Sequence, residues 1–334
     1  MSTSPANELM DRTIENLSRR GVSYHTLLML ALYLCGCGSP PNPDAVVPRE
    51  LKTEAARLSL VRFSHDGSYL AAGSADGEVF VWSDISIAPT KFDSGNRSPL
   101  VSLAWGPNNL LTTTDLDHGF VGWQFGKAEP RRIDFPGLPA PAVSVAFRPK
   151  SNPLEFVIGS RDGSLIFLDS KEAKQIKPDH RGAVKQIVYL PDGRSMVTAG
   201  ADGKLIWREA GSRKIMETVK AHDAEISRMV LSRDGQQLIT GDWNGRIKVW
   251  DVTSREARQS LEQSDAVSGL GFVQGQLVSG SWDGSLRLWN VTTGQLIRTI
   301  PTGQPIHDLA VDPRTQRIAT VCLDRFVRLW EIKK

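Results

Sequence analysis

Two histidines and a series of aspartates are the side chains in this sequence that could bind a metal ion or transfer protons. His180 and His222 stand at corresponding places, each four residues before the first core residue of a β-like run. Imidazoles and carboxylates brought together would suit a metal centre or a general base. The aspartates recur one to a turn, where this side chain caps its own backbone, and their spacing keeps them far apart: Asp76, Asp117, Asp162, Asp202, Asp283 and Asp324. The sequence therefore predicts structural roles for them, with no metal site and no cofactor.

No motif of an enzyme accompanies these residues. The sequence contains no zinc-ligand spacing, no phosphate-binding glycine loop and no nucleophile elbow. Ser64, Ser74, Ser160 and Ser281 stand in turns or strands without a base nearby in sequence. We therefore expect a non-catalytic protein, and an enzyme or metal-binding sensor of unknown substrate is the alternative.

The elements that carry these residues recur with a period of roughly 40 residues, which indicates a repeat architecture. Each unit ends in a β-like run that closes on a large apolar residue: Trp82, Trp123, Leu168, Trp207, Trp250, Trp289 and Trp330. In the fifth unit, 226–232, 237–241 and 246–251 have the alternating pattern of three successive strands. The Asp-Gly and Asn-Gly pairs between them favour tight hairpins, because both central residues of such a turn need a positive φ.

These units resemble the WD40 repeat family over residues 46–334. The resemblance lies in the turn motifs at 160–163, 200–203 and 281–284, and in the Trp-Asp ending at Trp250 and Asp251. It implies an all-β fold, a seven-bladed β-propeller with four strands to a blade. The run at 326–331 is a third strand, so we expect residues 47–52 to supply the fourth strand of the last blade and close the ring.

The resemblance also assigns hydrogen-bonded partners to the two histidines. It implies that His180 bonds the turn acid Asp202 alongside Thr198 and Trp207. The corresponding partners of His222 are Thr240, Asn244 and Trp250, with an amide in place of the acid. Asp202 precedes Trp207 by five residues rather than the usual six, which predicts a deletion or a shifted strand in the fourth blade.

The residue just before each turn acid points onto one face of such a ring. This set contains Ala75, Leu116, Arg161, Ala201, Trp243, Trp282 and Leu323. Trp243 and Trp282 lie on adjacent blades, and exposed aromatic clusters often mark contact sites. We expect Trp243, Trp282, Leu323, Arg161, Glu225 and His307 to form a partner-binding face. The alternative is that each tryptophan packs on a neighbouring turn.

The first 45 residues have a different character. A positive flank at Arg19 and Arg20 precedes an apolar run at 24–34, too short for a membrane span of about 20 residues. The following Cys35-Gly-Cys37 segment resembles the lipobox of bacterial lipoproteins. The resemblance implies a signal peptide at 1–36, a lipid on Cys37, a Pro-rich tether at 37–45 and a place in the cell envelope. A cytosolic WD40 scaffold whose apolar segment packs on the ring is the alternative.

Composition limits the partners. The net charge of +3 is small, and the lysines and arginines are dispersed, which argues against nucleic acid and leaves the lipid as the only membrane contact. Two of the three cysteines lie at 35 and 37, so Cys322 has no disulfide partner in a processed chain. The sequence predicts a monomeric ring that acts as a scaffold for one or more proteins.

Overall fold

A computed structural model describes residues 46–95, 98–117, 119–135, 137–151, 154–168 and 173–332. The ring lies within the compact unit that begins at Pro48. The predicted signal peptide, the lipidation residue Cys37 and the tether lie outside the described residues, so they stay predictions.

The described chain is all-β apart from one short 3-10 helix at Pro107–Asn109. The strands up to the third blade are β1 (Arg49–Lys52), β2 (Leu58–Phe63), β3 (Leu70–Ser74), β4 (Glu78–Trp82), β5 (Thr90–Asp93), β6 (Leu100–Trp105), β7 (Leu110–Asp115), β8 (Phe120–Gln124), β9 (Arg131–Asp134), β10 (Ala142–Phe147), β11 (Phe156–Ser160), β12 (Leu165–Leu168) and β13 (Ala173–Ile176).

The remaining strands build the last four blades. They are β14 (Val184–Tyr189), β15 (Ser195–Gly200), β16 (Lys204–Glu209), β17 (Ile215–Lys220), β18 (Ile226–Leu231), β19 (Gln237–Asp242), β20 (Arg246–Asp251), β21 (Ala257–Glu262), β22 (Val267–Val273), β23 (Gln276–Ser281), β24 (Ser285–Trp289), β25 (Leu296–Pro301), β26 (Asp308–Val311), β27 (Ile318–Val321) and β28 (Phe326–Trp330).

These strands form seven antiparallel four-stranded sheets, which are the blades of a β-propeller. The first strand of each blade contacts the first strands of both neighbours, and β26 contacts β2, so the ring is complete. The seven-bladed fold expected from the sequence is confirmed. The inner strands surround a central channel, and the turns between second and third strands lie on one face.

The N-terminal strand closes the last blade as predicted. β1 pairs antiparallel with β28, with Arg49 opposite Leu329 and Leu51 opposite Val327. The last blade therefore has the order β1-β28-β27-β26 and exposes no unpaired third strand. This pairing joins segments that are far apart in sequence, and it removes two open sheet edges.

Apolar side chains between adjacent blades hold the ring together. The core between blades seven and one combines Val327 and Leu329 with Leu58, Leu70 and Trp82. Similar clusters of described residues lie between five other pairs of adjacent blades. All six closing tryptophans are buried, and they act as fold-forming residues: Trp82, Trp123, Trp207, Trp250, Trp289 and Trp330.

The fourth blade contains the strand shift that the sequence predicts. Thr240 pairs with Lys248, two residues before Trp250, whereas Thr198 pairs with Ile206, one residue before Trp207. Because side chains alternate along a strand, this difference of one residue turns Trp207 toward the other side of its blade. Trp207 packs on Ile226, Met229 and Leu238 of the fifth blade.

Arg208 occupies the place that the closing tryptophan has in the fifth blade. Its buried guanidinium bonds to the carboxylate of Asp179. The indole nitrogen of Trp207 has no hydrogen-bond partner among the described residues. The expected hydrogen-bonded position of Trp207 beside Thr198 is therefore wrong.

Candidate functional site

The turn between β19 and β20 holds Trp243 on the face of the ring. Asp242 accepts hydrogen bonds from the backbone N–H groups of Asn244 and Arg246, both at 2.9 Å. The backbone N–H of Trp243 donates to the carbonyl of Glu225 at 3.2 Å. These bonds fix the backbone on both sides of Trp243, so that its indole projects from a rigid turn.

His222 is part of a closed hydrogen-bonded chain. Its Nδ1 lies 2.9 Å from Asp242 Oδ2, and its Nε2 lies 2.7 Å from Thr240 Oγ1. Trp250 Nε1–H donates to the same threonine oxygen at 2.9 Å. An ionised Asp242 accepts from Nδ1–H, which leaves Nε2 to accept from the threonine hydroxyl. Every polar atom of the imidazole is used, so His222 has no free nitrogen for a metal or a substrate.

The acid of this chain is Asp242, so the expected partner Asn244 is wrong. Asp242 closes the second strand, where it faces the imidazole, whereas Asn244 lies in the turn itself. Burial by itself would raise the pKa of Asp242, but the hydrogen bonds from His222 and from the N–H of Arg246 hold that pKa below its ordinary value. The charge-assisted bond is therefore present in the fifth blade.

The fourth blade bonds its histidine in the same way, with an acid two residues later but without the closing tryptophan. His180 Nδ1 lies 2.9 Å from Asp202 Oδ1, and its Nε2 lies 2.8 Å from Thr198 Oγ1, as the resemblance implied. Gly200 occupies the place of Asp242, and a Cβ there would collide with the imidazole of His180. Burial lowers the pKa of His180 more than its bond to Asp202 raises it.

Three of the other turn aspartates cap their own hairpins as expected, whereas for Asp76 and Asp117 that expectation is wrong. Asp162, Asp283 and Asp324 each accept from the backbone N–H two residues on, at distances of 2.9 to 3.0 Å. In the first two blades the capping oxygen belongs instead to the residue two before the turn aspartate. Ser74 accepts from the N–H of Asp76 at 3.1 Å, and Asp115 accepts from the N–H of Asp117 at 2.9 Å.

The two exposed tryptophans meet on the face of the ring. The rings of Trp243 and Trp282 lie 5.0 Å apart at 87°, and Trp282 lies 5.2 Å from the ring of His307. Trp243 and Trp282 remain 39% and 37% exposed. Trp243 Nε1–H donates to Glu225 Oε1 at 3.0 Å. We call Trp243, Trp282, His307 and Glu225 the tryptophan rim.

The sequence expectation grouped two further residues with this rim. Leu323 is 36% exposed and has a φ of 55°. Arg161 lines the central channel together with Leu116 and Lys185. No hydrogen bond, ion pair or ring contact of the described residues joins the side chain of Leu323 or of Arg161 to either tryptophan. Contacts of these kinds join the other four of the six residues.

The central channel contains charged residues for which the sequence predicted no functional role. Two cavities of about 560 and 680 Å³ share Arg62 and Arg228 in their walls. Both guanidiniums bond to the buried carboxylate of Asp308, Arg228 at 3.3 Å. The backbone N–H of Val61 donates to the same carboxylate at 3.0 Å. One negative charge is thus shared by two positive charges inside the ring.

No group of three or more His, Cys, Asp or Glu side chains is placed to hold a metal ion in the part of the chain that the structure covers. In the same part of the chain, no helix has the length and apolar character needed to cross a membrane.

Comparison with known proteins agrees with the fold. The model of the WD domain, G-beta repeat, matches residues 53–83, 172–207, 213–251, 258–290 and 294–331, together more than half of the chain. Actin-interacting protein 1 of Drosophila melanogaster is 25% identical over 64% of this chain and 38% of its own length.

Two further relatives have a similar relation to the chain. WD repeat-containing protein 1-A of Xenopus laevis is 28% identical over 65% of this chain and 37% of its own length. Protein NEDD1 of Homo sapiens is 25% identical over 54% of this chain and 28% of its own length. The matches span well under half of these curated relatives. The family model and the seven blades establish that the chain belongs to the WD40 repeat family.

Proposed function

We propose that this propeller is a non-catalytic protein-binding platform and that the tryptophan rim is its contact surface. The observation that carries the proposal is the pair of indoles held edge to face on adjacent blades, each more than a third exposed. Their backbones are fixed by capped turns, so little conformational entropy is lost when a partner covers them. Tryptophan is also the residue type most enriched among binding hot spots.

The histidines support a scaffold rather than an enzyme. His180 and His222 use both ring nitrogens within their own blades and are buried. They therefore stabilise the turns that present the face instead of meeting a substrate. Membership of the WD40 family agrees with this role, since such propellers generally bind other proteins.

Paired substitutions test the rim. Partners are first identified by proximity labelling in cells, and the binding of one purified partner is then measured by calorimetry. Trp243→Ala with Trp282→Ala removes two hot-spot side chains at about 2 kcal/mol each, so we expect a loss of affinity of at least a hundredfold.

The matched control uses apolar residues on the outer edge of the sixth blade. Leu296 and Ile297 on β25 are 48% and 49% exposed, comparable with the tryptophans. Leu296→Ala with Ile297→Ala should leave affinity unchanged. If both variants fold and the tryptophan variant binds the partner as tightly as the wild type, the rim is not the contact surface.

A second part of the proposal concerns location. The positive flank, the apolar run at 24–34 and the small residue before Cys37 support export and lipid attachment. The relatives named above come from fly, frog and human and give it no support, so a cytosolic scaffold is the competing function. Cys37→Ala should abolish incorporation of labelled fatty acid and release the protein from the membrane fraction. Unchanged fractionation would favour the cytosolic scaffold.

A further inference from the structure

We propose that the mouth of the central channel beside the tryptophan rim binds an acidic side chain, aspartate or glutamate, from the same protein partner. This inference rests on the proposed function and names the chemistry of the partner segment. The cavity of about 560 Å³ has Arg62, Arg161, Lys185 and Arg228 in its wall, and no described carboxylate lines it. A cavity lined by one sign of charge concentrates the field that attracts the opposite charge.

The positive charge in this wall is only partly neutralised. Asp308 bonds to both Arg62 and Arg228, so one carboxylate faces two guanidiniums. Lys185 pairs with Glu225 at 2.6 Å. The guanidinium of Arg161 has no hydrogen-bond or ion-pair partner among the described residues. Four cations therefore face two anions, which leaves two positive charges without a counter-charge.

This excess positive charge is partly buried, so water and salt screen it less than they would at the surface. The Nε atom of Arg228 is buried and has no hydrogen-bond partner among the described residues. Burial lowers the pKa of Arg228, and the neighbouring Arg62 lowers it further, although Asp308 acts in the opposite direction. A carboxylate arriving from a partner would relieve the repulsion between the two guanidiniums, and arginine offers it the planar fork that suits a carboxylate.

Contacts connect this mouth to the tryptophan rim. One oxygen of Glu225 bonds both to Trp243 and to Lys185, at 3.0 and 2.6 Å. Arg228 donates to the backbone carbonyl of His307 at 3.1 Å, and His307 lies against Trp282. A single segment of a partner could therefore place an apolar side chain on the indoles and an acidic one at the channel mouth. This continuity favours a protein segment over a small free anion.

The experiment is a selection of displayed random peptides against the purified full chain. Wild-type protein should enrich peptides that carry Asp or Glu near an apolar residue. Arg161→Gln is the main variant, because this exposed side chain makes no described hydrogen bond or ion pair and its loss should not affect folding. We expect the selected peptides to bind it about tenfold more weakly, the loss expected for one charge-assisted bond.

Two further variants complete the design. Arg194→Gln is the matched control, since Arg194 is an exposed arginine in the turn between β14 and β15, on the opposite face. Lys185→Gln combined with Arg161→Gln should weaken binding further, and higher ionic strength should weaken binding to the wild type. Peptides without acidic enrichment would overturn the inference, as would equal binding to the Arg161→Gln and Arg194→Gln variants.

The outcomes separate this inference from the function on which it rests. If the tryptophan double variant loses the peptides while Arg161→Gln keeps them, the rim stands and the acidic site fails. If Arg161→Gln loses them while the tryptophan variant keeps them, the acidic site stands and the rim fails.

Discussion

The carboxylate of Asp242 should be the most sensitive single group in the fifth blade. It is buried and accepts from His222 and from two backbone N–H groups. Asp242→Ala removes all three hydrogen bonds at once. The imidazole N–H lies in the interior and would stay unpaired, at a cost of about 1–3 kcal/mol, whereas water can reach the exposed turn and replace part of the two backbone bonds. The total loss in the free energy of unfolding should be about 3–4 kcal/mol.

The residues at the same position in other blades suggest a milder substitution for comparison. Ser74, Ser160 and Ser281 occupy the corresponding place, and Ser74 Oγ accepts from both backbone N–H groups of its turn, at 3.1 and 3.0 Å. Asp242→Ser should therefore restore the turn but leave His222 without its acid, for a loss of about 2 kcal/mol. Asp223→Ala changes an exposed carboxylate near the same turn and should cost under about 0.5 kcal/mol.

Urea-induced unfolding at neutral pH measures this series. Tryptophan fluorescence and circular dichroism must report coincident transitions, since only then is a single free energy defined. The expected order of stability is Asp223→Ala, then Asp242→Ser, then Asp242→Ala. Equal losses for the serine and alanine variants would show that the turn bonds contribute nothing, and a loss below 1 kcal/mol for both would refute the assigned role of the buried chain.

Three further predictions concern the ring and its fourth blade. Deleting residues 46–52 should expose β28 as an open edge, lower the thermal midpoint by several degrees and cause concentration-dependent association in size-exclusion chromatography. Gly200→Ala should cost about 1–3 kcal/mol, because its Cβ collides with the imidazole of His180, while Gly211→Ala, in open space, should be almost neutral in the same unfolding assay. An NMR titration should place the pKa of His180 below 6.5. Because the folded state resists protonation, the stability that His180 contributes should be complete above pH 6.5 and decline as the pH falls below it; a raised pKa would contradict this.

The fold was predictable because its information is local and repeated. A turn pair, a short alternating run and a closing tryptophan recur in most blades, so an irregular unit does not hide the period. The closing strand was predictable for the same reason, since the repeat shows which strand the last blade lacks. The short spacing between Asp202 and Trp207 predicted that the third strand of this blade is shifted. Only the register of β15 and β16 shows that Arg208 takes the position of the closing tryptophan.

The site was less accessible from sequence. Asn244 matches the turn position of the repeat pattern, yet the acid that reaches His222 sits at the end of the preceding strand, and only the strand register shows which side chain faces the imidazole. The charged residues of the channel were even harder to predict from the sequence. Arg62 and Asp308 are separated by 246 residues, and Arg228 is 80 residues from Asp308. These three side chains come together only because the ring closes. A local sequence pattern does not predict contacts of that kind.

The two kinds of tryptophan differ in how their indole nitrogen is used, and this difference bears on the partner. Trp250 donates inside its blade to Thr240 and is buried, so it holds the fold. Trp243 donates to Glu225 on the surface while its ring remains exposed. A partner covering Trp243 need not supply an acceptor, because the N–H is already satisfied, and gains mainly from the apolar ring area it removes from water. Polar contacts with the partner must then come from neighbouring groups. The adjacent groups whose charge is not fully neutralised are the cations of the channel mouth.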